Sequence, residues 1–304
     1  MAKKVFISYR HEQAEWVRTT LYPVLSAGGA EVVVDYKQFA AGLAVRRQMK
    51  AAQSRAHIQL LVFTPDYFRS NYCVEEMKRA FALDPNFSKG VILPVILERC
   101  QLPPQIQEHQ PLYVDLAGKR QQDAEAWKLL MERCEADLGT SVPNWIGCFR
   151  RATASLRRRK SVNLLVKGLP KWREFIAEVR RAFPDMGIVD LEAGKTATQH
   201  GLVGEILNLL VKFNGTLPKN AEHLAEFERL LEKAPATILA LTHFDIAPKR
   251  KYTEDLYHSF RHLVMNKGKL TLLVESRAPF ATLLPKNHGL SFLEMETVEL
   301  GING

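Results

Sequence analysis

The feature that most constrains this chain is the alternation of short apolar runs with longer amphipathic segments. In the first 140 residues this pattern predicts strands at 4–9, 31–35, 57–63, 90–96 and 111–115. It predicts helices at 12–27, 44–54, 66–82 and 121–138. Strands that alternate with helices of about ten to fifteen residues indicate a parallel sheet covered by helices on both faces. We therefore expect an α/β fold with a five-stranded parallel sheet here.

A second alternation of the same kind occupies the rest of the chain. Its strands are predicted at 162–168, 186–191, 237–245, 270–276 and 297–300. Its helices are predicted at 171–183, 198–213, 220–233 and 252–266. A length of 304 residues is typical of two domains rather than one. We predict a first domain at 1–140, a basic linker at 141–161 and a second α/β domain at 162–304.

The predicted linker is strongly basic, with Arg150-Arg151 followed by the run 157–160, which reads Arg-Arg-Arg-Lys. One interpretation is a solvated connector or helix face. The other is a contact surface for nucleic acid or an acidic protein. The net charge of +9 is compatible with an anionic partner. Aromatic residues are sparse in this stretch, which argues against binding of single strands by base stacking.

Composition and cysteine spacing narrow the class of protein. Hydrophobic residues make up 46% of the chain and charged residues 25%, which is typical of globular domains. No run reaches eighteen apolar residues, so we expect no membrane contact. The chain begins Met-Ala-Lys-Lys and enters a predicted strand, which does not match a secretory signal. Its four scattered cysteines form no C-x-x-C pair, so we expect reduced thiols, no metal site and a cytoplasmic protein.

Two motifs locate a candidate site. Val5–His11 is an apolar strand that ends in polar residues, and Ser70–Glu76 is the start of a helix. Tyr72 and Glu76 are four residues apart, which puts them on one face of that helix. The carboxyl ends of parallel strands meet at one edge of a sheet, where active sites of such folds lie. A carboxylate beside an aromatic ring there can hold a sugar and stabilise positive charge that develops on it.

Three motifs in this order resemble the TIR (Toll/interleukin-1 receptor) domain family. They are Phe-Ile-Ser-Tyr at 6–9, Val-Val-Val-Asp at 32–35 with the loop at 36–44, and Ser-x-x-Cys-x-x-Glu at 70–76. The resemblance covers about residues 3–140 and implies a flavodoxin-like fold. It further implies cleavage of NAD+ at the nicotinamide–ribose bond, with NAD+ as substrate and no cofactor. It also implies homo-oligomers formed through TIR–TIR contacts. TIR domains that only pair with one another, as non-enzymatic adaptors, are the open alternative.

The resemblance assigns Glu76 as the catalytic residue, because it stands three positions after Cys73. The alternative is an acid that complements the helix dipole. Tyr72 stands where the family often has tryptophan and is expected to stack on the substrate. Cys73 is expected to be a packed small residue rather than a nucleophile. Glu75 points about 100° away around the helix and is expected to be solvated.

The remaining candidate residues for substrate binding follow the first two strands. Tyr9 and Arg10 come directly after the first strand, and Arg10 could pair with the pyrophosphate through its fork of donors. Asp35, Tyr36 and Phe39 lie in the loop that TIR domains commonly use for packing against neighbours. For Arg10 a surface position is an equal alternative. Asp35 could instead cap the loop, and Phe39 could instead fill the edge of the core.

The second half resembles the core of a P-loop ATPase of the AAA or STAND type. Val162–Gly168 stands at the phosphate-loop strand, and Leu239–Asp245 at the strand that carries the Walker B acid. The turn after Gly168 lacks the G-x-x-x-x-G-K-[ST] pattern that holds phosphates. A Gly-Lys-Thr occurs at 194–196, but Val189 occupies the position of the first glycine. We therefore expect a degenerate NTPase-like domain without a functional P-loop.

Together the two resemblances imply an effector whose first domain depletes NAD+. The second domain would control assembly, through a sensor protein or a nucleotide or nucleic-acid trigger at 141–304. In bacteria this two-domain plan resembles that of effectors in anti-phage defence.

Overall fold

The computed structural model describes residues 2–34, 45–169, 171–212, 215, 217, 222–250, 252–284, 290 and 293–301. The chain divides into two compact units, Met1–Ile146 and Gly147–Gly304. Each unit holds one five-stranded sheet in which every pairing is parallel, so the predicted α/β fold class is confirmed.

The first sheet has the order β2-β1-β3-β4-β5. Its strands are Lys4–Ser8 (β1), Glu31–Val33 (β2), Ile58–Phe63 (β3), Ile92–Ile96 (β4) and Val114–Asp115 (β5). Every residue of β3 and β4 is buried. Apart from Gln59 the two strands are apolar, as is expected of parallel strands that are covered on both faces.

Helices surround this sheet. They are Ala14–Trp16 (α1), Tyr22–Ala27 (α2), Val45–Arg55 (α3), Asn71–Leu83 (α4), Pro104–His109 (α5) and Ala124–Arg133 (α6). The predicted helix at 12–27 is a run of short helical turns that includes α1 and α2. The sequence did not indicate α5, because six residues are too few to show a helical period. The predicted helix at 66–82 begins only at Asn71, since the backbone of Ser70 is extended.

Strand β5 is shorter than the predicted strand at 111–115, and Pro94 explains why. Leu97 N–H bonds to Phe63 on the β3 side of β4, whereas Ile96 O accepts from Leu116 on the β5 side. Even-numbered residues of β4 therefore face β5, and Pro94 has no N–H to offer there. Pairing with β4 accordingly starts one residue later, at Val95.

The second sheet has the order β10-β6-β9-β8-β7. Its strands are Val162–Lys167 (β6), Gly187–Asp190 (β7), Thr237–Thr242 (β8), Leu270–Ser276 (β9) and Glu296–Gly301 (β10). The predicted strand at 237–245 ends at Thr242, because His243 adopts a left-handed backbone with φ of 54°. The two strands that the resemblance to an ATPase named, β6 and β8, are therefore separated by β9 alone.

Six further helices lie among the described residues from Val142 onward. They are Val142–Arg157 (α7), Trp172–Ala182 (α8), Gln199–Val211 (α9), Glu222–Lys233 (α10), Glu254–Arg261 (α11) and Phe280–Leu283 (α12). Helix α7 occupies most of the stretch predicted to be a linker. Trp145, Cys148, Phe149, Ala152 and Leu156 are buried along one side of it. This apolar stripe at helical spacing outweighs Pro143, which is tolerated in a first helical turn.

No helix within the described residues is long and apolar enough to cross a membrane.

Candidate functional site

The polar residues at the carboxyl end of the first sheet come from β1, the turn after β3, and α4. Ser8 ends β1 and pairs in register with Leu61 of β3. Thr64 Oγ1 accepts the N–H of Tyr67 at 3.2 Å and starts a 3-10 turn. Ser70 Oγ accepts the N–H of Cys73 at 3.3 Å and caps α4. The residue that caps this helix is therefore Ser70.

Glu76 lies one turn into α4 and faces the end of β1. Its side chain is buried, with 1% of the residue exposed. The Ser8 hydroxyl donates to Glu76 Oε2 at 2.5 Å, and Ser8 Oγ lies 2.8 Å from the Tyr67 hydroxyl. A serine hydroxyl has one proton, so Tyr67 is the donor in the second bond. The result is a buried relay from Tyr67 through Ser8 to the Glu76 carboxylate.

The tyrosine of this relay is held neutral. Burial raises the pKa of Tyr67 well above its usual value, the bond with Ser8 opposes that rise, and the charge of Glu76 adds to it. The Tyr67 hydroxyl therefore keeps its proton at neutral pH and remains a donor to Ser8. The relay fixes the orientation of the Glu76 carboxylate through a charge-assisted hydrogen bond.

A buried glutamine fixes the backbone of the same turn. Gln53 Nε2 donates to the carbonyl oxygen of Glu76 at 2.8 Å, and Arg79 Nε donates to Gln53 Oε1 at 2.8 Å. Gln59 Nε2 donates to the Gln53 carbonyl at 2.8 Å. Helices α3 and α4 and strand β3 therefore meet at Gln53. No sequence pattern indicated Gln53 or Tyr67, because each is a single polar residue in an otherwise ordinary segment.

Cys73 and Tyr9 contact each other at the inner side of α4. Cys73 is 2% exposed, and its thiol donates to the Tyr9 carbonyl at 3.5 Å. Burial raises the pKa of Cys73, which disfavours the thiolate. Cys73 is thus a packed residue, as the sequence predicts. Tyr9 contributes its carbonyl to this contact, and only 9% of the residue is exposed.

The other candidates on described residues lie around Glu76 in different settings. Tyr72 is half-buried and packs against the cluster of Phe6, Val33 and Met49. Its ring therefore lies on core side chains, although it is four residues from Glu76. Arg10 Nε lies 2.8 Å from Glu12 Oε2, and the Arg10 side chain is 38% exposed.

Three predicted site residues, Asp35, Tyr36 and Phe39, lie outside the described residues, as does the loop at 36–44. Glu75, adjacent to Glu76 in sequence, is exposed as expected and lies 3.9 Å from Arg79.

In the second unit, the Gly-Lys-Thr at 194–196 forms a 3-10 turn before α9. Lys195 Nζ lies 2.5 Å from Glu205 Oε1. Thr196 Oγ1 lies 2.8 Å from the carbonyl oxygens of both Asp190 and Ala193, which share its one proton. The two side chains that would contact phosphate and metal in a P-loop are therefore used within the unit. The segment is a turn that leads into a helix.

The acid expected at the end of β8 serves to join two loops. The Asp245 carboxylate accepts the backbone N–H groups of Arg277 and Ala278 at 2.9 to 3.2 Å. The buried acid at this edge is instead Glu275, whose Oε2 accepts the His243 N–H at 2.6 Å. Burial raises the pKa of Glu275. His243 Nδ1 lies 2.7 Å from Asp190 Oδ1, so the ends of β7, β8 and β9 are bonded together.

Comparison with known proteins gives the following similarities. Residues 5–131 match the family model described as the TIR domain. The TIR domain of a Toll-related receptor of Hydra magnipapillata is 22% identical with a TM-score of 0.38, over 43% of this chain and 97% of that one. A Walker-type ATPase of Pyrococcus abyssi is 13% identical with a TM-score of 0.38, over 51% of this chain and 52% of that one. A chain of Drosophila ORC bound to DNA is 13% identical with a TM-score of 0.40, over 52% of this chain and 91% of that one. No curated protein matches the sequence.

Proposed function

We propose that this chain is an NAD+ glycohydrolase, because residues 5–131 match the TIR domain and TIR domains act as NAD+ hydrolases or as signalling adaptors. The observation that carries the proposal is the Glu76 carboxylate at the carboxyl end of β1, bonded to Ser8 at 2.5 Å. A carboxylate in that position is not needed for an adaptor, which works through its surface.

The chemistry requires little besides this carboxylate. Cleavage of the nicotinamide–ribose bond releases a neutral pyridine from a cationic one, so the leaving group needs no proton from the enzyme. Positive charge develops on the ribose, and a nearby carboxylate stabilises it and orients the ribose hydroxyls. We assign these roles to Glu76. Arg10, at the end of β1 and 38% exposed in its side chain, is our candidate for the pyrophosphate.

The burial of Glu76 supports a resting form of this enzyme. With 1% of the residue exposed, the carboxylate cannot touch a substrate until neighbouring groups move. We propose that contacts between TIR domains of several chains open or complete the site, so that hydrolysis follows oligomerisation. NAD+ depletion switched on by assembly suits an effector of anti-phage defence, and we assign that role to the chain.

The experiment is to incubate the full chain with NAD+ at several protein concentrations and measure nicotinamide release by chromatography. Glu76→Gln keeps the shape and an acceptor for Ser8 but removes the charge. Glu75→Gln makes the same change one position earlier, on an exposed side chain, and is the matched control. We expect release that rises faster than linearly with protein concentration, is abolished in Glu76→Gln and is retained in Glu75→Gln.

Full activity in Glu76→Gln would contradict the catalytic assignment. The adaptor is the second candidate, since TIR domains also have that role, with the second unit as the part that binds a nucleotide or nucleic-acid trigger. Absence of nicotinamide release at any concentration, together with unchanged pairing of Glu76→Gln chains, would favour the adaptor.

A further inference from the structure

The starting edge of the second sheet is lined with basic side chains. In a parallel sheet all strands start at the same edge, and β6, β9, β8 and β7 are neighbours in that order. Cations precede each of these four strands along the chain. We call them the basic rim: Arg157, Arg158, Arg159, Lys160, Arg180, Arg181, Lys233, Lys267 and Lys269.

Few of these charges are neutralised by neighbouring acids. Arg181 pairs with Glu178, and Lys267 lies 3.1 Å from Glu232. For the other seven cations the described part of the chain contains no ion pair. The unit as a whole has the same bias, because residues 147–304 hold 24 Lys and Arg against 17 Asp and Glu, which is +7 of the net +9.

Side-chain contacts bring separate parts of the rim together. Arg159 Nη2 donates to the carbonyl of Ala236 at 3.0 Å, and Lys269 Nζ donates to that of Ala234 at 2.9 Å. The end of α7 and the start of β9 therefore meet at the segment before β8. A groove of about 320 Å³ runs beside them, lined among others by Arg157, Phe183 and Asp185. The rim is thus one surface with a depression.

A simpler explanation covers only part of this surface. Cations in the last turn of a helix complement its dipole, and this accounts for Arg157, Arg180 and Lys233. Arg158, Arg159 and Lys160 come after the end of α7, and Lys269 precedes β9 outside any helix. Helix stabilisation therefore leaves the four-residue run after Leu156 largely unexplained.

We propose that the basic rim binds the phosphate backbone of double-stranded nucleic acid. Arginine presents a planar fork of donors that matches phosphate oxygens, and four of the seven unpaired cations are arginines. Strands about 4.8 Å apart spread the rim over roughly 15 Å, enough to meet several phosphates. The groove offers only the half-buried Phe183 as an aromatic surface. This favours a duplex over a single strand, which is held largely by base stacking.

The test is binding of the full chain to a fluorescent 20-base-pair duplex of arbitrary sequence, as DNA and as RNA, titrated at several salt concentrations. Arg158→Ala with Lys160→Ala removes two rim charges. Arg173→Ala with Lys249→Ala removes two exposed charges at the opposite edge of the sheet and is the matched control. Asp185→Asn removes the acid of the groove.

We expect the rim variant to bind the duplex about tenfold or more weakly near 0.1 M salt. The slope of log K against log[salt] should be smaller in magnitude by about 2, because each lost phosphate contact reduces it by about 0.9. The control pair should bind as the parent does, and Asp185→Asn should bind more tightly. Equal losses in both double variants, or no duplex binding by the parent, would overturn the proposal. Displacement of the duplex by poly-L-glutamate at a lower charge concentration than is needed with unlabelled duplex would also overturn it and indicate an acidic protein as the partner. NAD+ cleavage does not enter this readout, so the result is independent of the proposed hydrolase.

Discussion

The hydroxyl of Ser8 is the central link of the relay at Glu76, and its removal is the sharpest test of that geometry. In Ser8→Ala the Glu76 carboxylate loses its donor at 2.5 Å, and the Tyr67 hydroxyl loses its acceptor at 2.8 Å. A hydrogen bond to a charged group contributes about 1.5–3 kcal/mol, and a buried hydroxyl left unsatisfied costs about 1–3 kcal/mol. We expect the two effects together to lower the free energy of unfolding of the first unit by roughly 2.5–6 kcal/mol.

The assay has to report on this unit alone, because a chain with two units need not unfold in one step. Hydrogen exchange followed by mass spectrometry gives separate values for peptides from β1 and β3 of the full chain. A loss of about 3 kcal/mol corresponds to exchange that is roughly a hundredfold faster in those peptides. Peptides from β6 and β9 should be unaffected.

Ser54→Ala is the control, because it removes an exposed hydroxyl that bonds to the carbonyl of Ala51 within α3. We expect it to change exchange by less than a factor of about 3, as is usual for surface substitutions. If Ser8→Ala and Ser54→Ala gave the same exchange rates in β1 and β3, the relay would contribute nothing to stability. Ser8 would then not be what holds the Glu76 carboxylate in position.

Two further predictions concern pH and packing in the first unit. Burial raises the pKa of the Cys134 thiol from 9.0 to about 12, so the folded chain holds that proton more strongly than the unfolded chain. This contribution to the free energy of unfolding is constant below pH 9 and falls by about 1.4 kcal/mol per pH unit from pH 9 to about pH 12. In Cys134→Ala, the free energy of unfolding should therefore fall less steeply over that pH range. Gly28→Ala would place a methyl group 2.7 Å from Met131 Cε and 2.8 Å from Ala136 Cβ. We therefore expect the free energy of opening of the α6 amides, measured by hydrogen exchange, to fall by about 1–3 kcal/mol. Gly147→Ala, whose added carbon meets nothing within 4 Å, should cause no such loss.

The strands and most helices could be predicted because their signals are local. β3 and β8 are mainly apolar, buried runs, and the helices around them show the helical period. The exceptions arise from interactions that a local pattern does not contain. Helix α7 looked like a charged connector because its arginines are adjacent in sequence, whereas its buried side is spread over Trp145–Leu156.

The candidate site divides in the same way. The motif Ser-x-x-Cys-x-x-Glu pointed to Glu76, and its position at the end of β1 follows from the cap at Ser70. Its immediate partners could not be found this way. Tyr67 reaches Ser8 across 59 residues of chain, and Gln53 reaches the Glu76 carbonyl across 23. Such contacts depend on how two elements pack, which no spacing within either element reveals.

Pro94 has a consequence for how chains can associate. Because it offers no N–H toward β5, that edge strand pairs over only two residues, and Leu112 and Tyr113 stay outside the sheet with 62% and 43% of their surface exposed. Unpaired edge strands are the usual templates for aggregation, and a very short edge strand is one way in which proteins prevent pairing with another chain. A chain that approaches the β5 edge finds a ladder too short to extend, which directs self-association of this unit toward its helices and loops.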